Sequence, residues 1–214
     1  MPGGAAARLR ALAHLPRERF LARLGYDLKR PLFALPLYRY SLPGLSATSL
    51  SAPPTDPWPG DAEAGARIVR GTFTLAGHSV RDPAPLWAPP GAGAPWRTEM
   101  HGFTWLRDLR AAGGDAPRRR ARELTHAWLE TFGTWHPVAW APLATGLRLA
   151  IWLGCYEFFA ASAEIEFRHR LLASVAHQAR HLARVLPAGL AGAELIGALK
   201  GLVCAGAALP DGAP

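Results

Sequence analysis

Aromatic and basic side chains that could bind a ligand are concentrated in one part of this chain. Six of the eight tryptophans lie between residues 96 and 156, interleaved with histidines and arginines. Flat aromatic faces beside fixed hydrogen-bond donors can bind the apolar face and hydroxyl rim of a sugar, and they can equally fill a helical core. Both interpretations stay open. The candidate substrate-binding residues are His101, Trp105, Trp140 and Arg148.

His101 and Trp105 are one helical turn apart, and Arg107 and Asp108 follow directly. One helix could therefore offer a ring, a donor and a charge to a cleft. The alternative is that Trp105 belongs to the core and that Arg107 and Asp108 make hydrogen bonds at a helix end or between helices.

Trp140 and Arg148 are candidates for different reasons. Trp140 ends a loop, residues 135–140, between two predicted helices, and binding residues are often carried by loops. Arg148 lies on an otherwise apolar helix, where an unpaired buried charge would cost several kcal/mol. It must meet a carboxylate, carbonyl oxygens or a ligand anion.

Metal binding has one weak indication. His177 and His181 stand at i and i+4, as a zinc pair requires, but no glutamate follows His177. Arg180 and Arg184 would also repel a divalent cation, so we interpret this pair as part of a solvated or hydrogen-bonded helix face. The two cysteines are too few and too far apart for a metal knuckle or a disulfide framework. We predict no catalytic residue, no metal and no cofactor for this chain.

Charge is distributed unevenly. The formal net charge is +8, of which residues 1–40 carry +6, from eight basic and two acidic side chains, leaving +2 for the remainder. Such an arm could contact phosphate, anionic lipid or an acidic polysaccharide, or simply be a solvated helix face. Aromatic and basic residues are segregated, so we predict no nucleic-acid partner.

The location follows from the absence of targeting signals. No apolar run with a small-residue cleavage site follows the first arginines. The most apolar segment, residues 141–161, contains Arg148 and Glu157 and is interpreted as a buried helix rather than a membrane span. We therefore predict a cytoplasmic protein without a membrane span.

The elements that position these residues are mainly helical. We predict three regions: a basic arm over residues 1–45, an extended segment with a short hairpin over 46–95, and a helical part over 96–214. The arm begins with a helix over 5–26 in which Pro16 is a break, followed by an extended stretch over 31–59 anchored by Tyr38 and Tyr40. The hairpin lies within 67–80, and helices follow at 97–112, from Asp115 to Gly133, at 143–160, after Ser162, and at 190–208. Nothing after the last helix supplies a partner for its apolar face.

Several blocks together resemble a known family. They are Pro54 to Asp61, Gly71-Thr72-Phe73, Met100-His101-Gly102-Phe103-Thr104-Trp105-Leu106-Arg107-Asp108-Leu109, the loop over 135–140, and Gln178 to Leu182. In order and spacing they are similar to the N-terminal region of heparinase II/III-like proteins of alphaproteobacterial type, over about residues 30–210.

The resemblance implies an incomplete (α/α) toroid, of which this chain would be the N-terminal part, and a following β-sandwich. It implies a polysaccharide lyase that performs β-elimination on uronic-acid glycans such as glycosaminoglycans, with an acidic polysaccharide as partner of the full-length protein. The family's catalytic residues lie in the later toroid and the sandwich, so we expect this chain, as a truncated portion, to be catalytically silent alone. The alternative is a stand-alone, non-catalytic glycan-binding or scaffolding helical module.

Overall fold

The computed structural model describes residues 16–42, 49–81 and 86–210, without the side chains of residues 39 and 40. Over these ranges the chain is mainly helical with one two-stranded antiparallel sheet, which confirms the predicted class at that level; the toroid is not confirmed. The elements, in chain order, are α1 (Arg17–Phe33), α2 (Tyr38–Ser41), α3 (Ala62–Val69), β1 (Thr72–Leu75), β2 (His78–Arg81), α4 (Ala94–Gly102), α5 (Leu106–Ala112), α6 (Asp115–Phe132), α7 (Pro142–Gly154), α8 (Tyr156–Phe159), α9 (Ile165–Val185) and α10 (Gly192–Ala208).

The first helix differs from its prediction. The predicted start, within residues 1–15, lies outside the described residues. Pro16, predicted to break or kink the helix, directly precedes its first described turn, which agrees with a break, and its missing N–H costs no helical hydrogen bond there. The helix continues past residue 26 to Phe33, because Pro31 falls in the last turn, where little helix remains to be disrupted.

The extended stretch predicted from residue 31 is therefore wrong at its beginning, where α1 ends and α2 follows. Tyr38 does act as an anchor. Its ring packs 4.9 Å from that of Phe33, and its hydroxyl is hydrogen-bonded to Nδ1 of His181 at 2.8 Å. The side chain of Tyr40, the second predicted anchor, lies outside the described side chains.

The predicted hairpin is confirmed. Phe73 pairs with Val80, and the strands are joined by Ala76 and Gly77, both with positive φ (45° and 75°). Two consecutive residues of this kind form the tight turn that matches the twist of the strands. The backbone N–H of Ala76 donates to Oε2 of Glu99 at 3.1 Å, which fixes the turn to α4.

The helix predicted over 97–112 is divided in two. Phe103 ends α4 with a left-handed backbone, φ 60°, and α5 begins three residues later. Its ring is fully buried, with centroids 4.8 Å from Trp105 and 5.0 Å from Trp152. This packing stabilises a conformation that a non-glycine residue rarely adopts.

The later helices follow their predicted bounds more closely. Helix α6 runs from Asp115 to Phe132, although Gly114 rather than Asp115 occupies the cap position. The predicted 143–160 helix bends at Cys155, which separates α7 from the short α8. Helices α9 and α10 fall within the predicted segments.

Helices α7 and α10 pack with their backbones in contact, because glycines face each other. A Cβ on Gly146 would overlap the backbone of Ala198, and a Cβ on Gly201 would overlap the carbonyl of Gly146. The small side chains of the last segment thus permit contact between the two helix backbones. The division at residues 45 and 95 stays a prediction.

Candidate functional site

Arg148 lies at the centre of the molecule, fully buried on α7. Its guanidinium donates to Oε1 of Gln178 at 2.7 Å, to the carbonyls of His101 at 2.6 Å and Ala139 at 2.9 Å, and to Oγ1 of Thr145 at 3.3 Å. The cation also stands 4.1 Å above the ring of Trp128. Burial lowers the pKa of the Arg148 guanidinium well below its ordinary value. The sequence required a carboxylate, carbonyl oxygens or a ligand anion beside this charge, and among the described residues its acceptors include carbonyl oxygens.

His101 lies beside this arginine and is equally enclosed. Its Nδ1 accepts a hydrogen bond from the indole N–H of Trp128 at 3.2 Å, and its ring stacks on that of Trp87. Burial, and next the positive charge of Arg148, lower the pKa of His101 to about 3. The imidazole is therefore neutral near pH 7, with an acceptor fixed by the Trp128 bond.

The two candidate tryptophans are also interior. Trp105 donates from Nε1 to the carbonyl of Met100 at 3.1 Å and meets Phe73 edge to face. Trp140 donates to the carbonyl of Phe132 at 2.8 Å, with its ring against His181. Each indole N–H is satisfied within the chain, and the Trp105 ring is packed in the interior, whereas the Trp140 ring also lines a cavity. The binding role predicted for these four residues stays a prediction, whereas their contacts describe a core.

The two histidines of the possible zinc pair face different surroundings. His181 is fully buried against Tyr38, and burial, with the charges of Arg148 and Arg184, lowers its pKa to about 3. His177 instead lines a surface cavity. Among residues 16–42, 49–81 and 86–210, no three His, Cys, Asp or Glu side chains are grouped as a metal site would need.

A second charged cluster was not singled out from the sequence. Asp56 is nearly buried and accepts from Nε and Nη2 of Arg107 at 2.6 and 3.1 Å. Arg110 donates to the backbone carbonyls of Asp56 and Trp58, and Lys200 lies 3.9 Å from the carboxylate. The cluster joins the 49–61 segment to α5 and α10. The sequence signal that could have identified this cluster was Asp56, an aspartate that stands near prolines and a tryptophan.

Two apolar helix faces are open to solvent. Six leucines are exposed on α1 and the residues after it: Leu21, Leu24, Leu28, Leu32, Leu35 and Leu37. On α10, Ile196 and Val203 are 69% and 70% exposed, beside Leu199. Apolar patches of this kind mark interaction surfaces.

A cavity of about 340 Å³ opens between the end of α1, α2 and the loop after α6. Its walls are largely aromatic, from Phe33, Tyr38, Trp135 and Trp140. A more polar cleft of about 560 Å³ adjoins it and contains Glu130 and Arg170. We call the two together the α6–α9 groove. No described helix is both long and apolar enough to cross a bilayer.

The chain is similar in sequence to a known bacterial protein. The chain is 33% identical over 208 residues to FtsZ-localized protein C of Caulobacter vibrioides (strain NA1000 / CB15N), an alignment that covers 90% of this chain and 33% of that protein. The chain thus spans about one third of the length of the curated relative it matches. No family model matches the chain, and no solved structure matches it.

These findings correct the resemblance stated from the sequence. The assignment to heparinase II/III-like lyases is wrong, since no family model supports it and the relative found over 90% of the chain carries another name. The lyase function, the glycosaminoglycan association and the acidic polysaccharide partner depended on that assignment and are wrong with it. The relative's name refers instead to a protein, FtsZ.

Proposed function

We propose that this chain is part of a cell-division protein that associates with FtsZ in the cytoplasm. The observation that carries the proposal is the similarity to FtsZ-localized protein C, which extends over 90% of the chain. Because that protein is about three times as long as the aligned part, the proposal concerns what this portion contributes.

The surface supports a binding role for this portion. Leu28 on α1 is 69% exposed and Ile196 on α10 is 69% exposed, each within a row of apolar side chains at helical spacing. Exposed rows of this kind become favourable contacts when a partner removes them from water. His101, Trp105 and Arg148 are buried, so contact with another protein would use these outer faces or the α6–α9 groove, whose wall includes Trp140.

The test is direct binding of the purified chain to FtsZ of Caulobacter vibrioides immobilised on a biosensor surface. We expect saturable binding at near-physiological salt. Because the chain carries a net charge of +8, a surface with an unrelated protein of the same net charge as FtsZ controls for non-specific attraction. Equal responses on both surfaces, or none on either, would contradict the proposal.

A cellular measurement addresses localisation separately. A fluorescent fusion of the chain, imaged beside labelled FtsZ, should coincide with the FtsZ signal. A matched pair of variants locates the contact: Leu28→Ser on α1 and Val203→Ser on α10 each replace one exposed apolar side chain, with little effect expected on the core. A fusion distributed uniformly, with FtsZ localised normally, would count against association of this portion.

A further inference from the structure

We propose that the α6–α9 groove binds an acidic peptide segment of a partner protein, anchored by one aromatic or branched apolar side chain. This goes beyond association with FtsZ, because it holds whichever protein supplies the segment.

The apolar half of the groove has preformed walls. Phe33 stands 4.9 Å from Tyr38 and 5.8 Å from Trp135, ring centroid to ring centroid. Tyr38 is held by its hydrogen bond to His181, and Trp140 by its bond to the carbonyl of Phe132. Side chains fixed by such contacts need little ordering when a ligand enters, which lowers the entropic cost of binding.

The size and lining of this half fit one bulky apolar side chain. Its volume of about 340 Å³ is at the lower end of the range for ligand pockets, and aromatic walls with few polar groups are typical of such sites. Leu35 at its edge is 52% exposed, which shows that the cavity opens to solvent.

The polar half makes the groove suitable for a chain rather than a compact ligand. Both halves share Gly133, Thr134 and His177, so a segment that places a side chain in the first continues into the second. Thr134 is exposed at the junction, where its hydroxyl is available to a peptide backbone. An extended peptide can in this way present neighbouring residues to two unlike compartments.

The charges around the groove favour an acidic segment. Arg184 donates both its terminal nitrogens to Ser41, next to Leu42 in the cavity wall, and no carboxylate forms an ion pair with it in the described part of the chain. Arg170 and Glu130 pair with each other at 3.1 Å and leave no net charge. Arg184 lines neither half of the groove itself, but beside the wall residue Leu42 its charge would attract a carboxylate next to the apolar anchor.

The experiment is titration calorimetry of the whole chain with a capped peptide that carries one phenylalanine between aspartates. Two matched peptides replace the phenylalanine by alanine or the aspartates by asparagine. Tryptophan fluorescence provides a second signal, because Trp135 and Trp140 line the cavity. We expect saturable binding of the first peptide, at least about tenfold weaker binding of each matched peptide, and weakening by salt.

Variants connect the binding to the groove. Thr134→Trp places a large ring at the junction of the two halves and should weaken binding at least about tenfold. Thr131→Trp is the matched control, since Thr131 is exposed near the end of α6 but does not line the groove, and it should bind like the unmodified chain. Arg184→Gln should weaken binding several-fold and reduce its salt dependence.

Thermal melts show whether each variant is folded before it is compared. Binding of the phenylalanine and alanine peptides with equal strength would overturn the proposal. So would undiminished binding by folded Thr134→Trp, or equal loss in the Thr131→Trp control.

Discussion

Acidification should destabilise this protein through two histidines that are buried in the neutral form. His101 and His181 are almost completely enclosed, and burial together with Arg148 lowers the pKa of each to about 3. In the unfolded chain both return to an ordinary pKa of about 6.5. Between these values the unfolded state binds protons and the native state does not, so stability is complete above about pH 6.5 and is lost as the pH falls toward 3.

The magnitude follows from the same pKa values. From about pH 7 to about pH 5, each histidine takes up most of one proton on unfolding, which lowers the free energy of unfolding by about 2 kcal/mol per residue and about 4 kcal/mol for the pair. Burial lowers the pKa of His136 too, which acts in the same direction. Burial raises the pKa of Asp108, so in acid the native state takes up a proton at this carboxylate before the unfolded state does. This uptake stabilises the native state and opposes the destabilisation caused by the histidines.

The assay is guanidinium unfolding followed by tryptophan fluorescence and far-ultraviolet circular dichroism across this pH range. His181→Phe keeps an aromatic ring against Phe33 and Trp140 but removes one titrating group, so the pH dependence should fall by about 2 kcal/mol over the same interval. His169→Phe, at an exposed position of α9, is the control and should leave the dependence unchanged. A free energy of unfolding that is constant between about pH 7 and about pH 5, or an unaltered slope in His181→Phe, would refute this reasoning.

Four further substitutions test the contacts and the backbone of the fold. Arg148→Met removes four hydrogen bonds and leaves buried carbonyls unpaired, so we expect a loss of about 3–5 kcal/mol in chemical unfolding. Asp56→Asn breaks a nearly buried ion pair and should cost about 2–3 kcal/mol, measured the same way. Gly201→Val forces a side chain against the carbonyl of Gly146 and should lower the melting temperature and cost about 3 kcal/mol, whereas Gly25→Ala, with nothing within 4 Å, should raise stability by about 0.5–1 kcal/mol.

Local signals predicted the elements that depend on local chemistry. Gly133 marked the end of α6 within one residue, and Ala76-Gly77 marked the hairpin turn, because glycine disfavours a continuing helix and permits the positive φ of a tight turn. The break at Phe103 could not be predicted in this way. It depends on contacts of that ring with Trp105 and Trp152, and the latter is distant in sequence.

Contacts between residues distant in sequence also explain why the surroundings of the candidate site residues could not be predicted. A tryptophan with a histidine one turn away has the same spacing whether the pair faces a cleft or a core, and only the neighbouring helices decide between them. The carbonyls of His101 and Ala139 that satisfy Arg148 come from separate segments, so the sequence could state that a partner was needed but not which of the three it would be. The exposure of Leu28 and Leu32 was also hidden, because a leucine stripe on an amphipathic helix normally indicates the buried side.

Two of the blocks that resembled a catalytic family, Pro54 to Asp61 and Met100 to Leu109, form one structural unit. Arg107 binds the carboxylate of Asp56, and Asp108 accepts from the backbone N–H of Asp61 at 2.9 Å. Gly60 lies so close to the carbonyl of Arg107 that a Cβ there would overlap it. Each block therefore requires particular residues in the other. The first needs the carboxylate of Asp56 and a glycine at position 60, and the second needs the guanidinium of Arg107. Matched motifs of this kind follow from the docking of an extended segment on a helix, and they specify a fold without specifying a reaction.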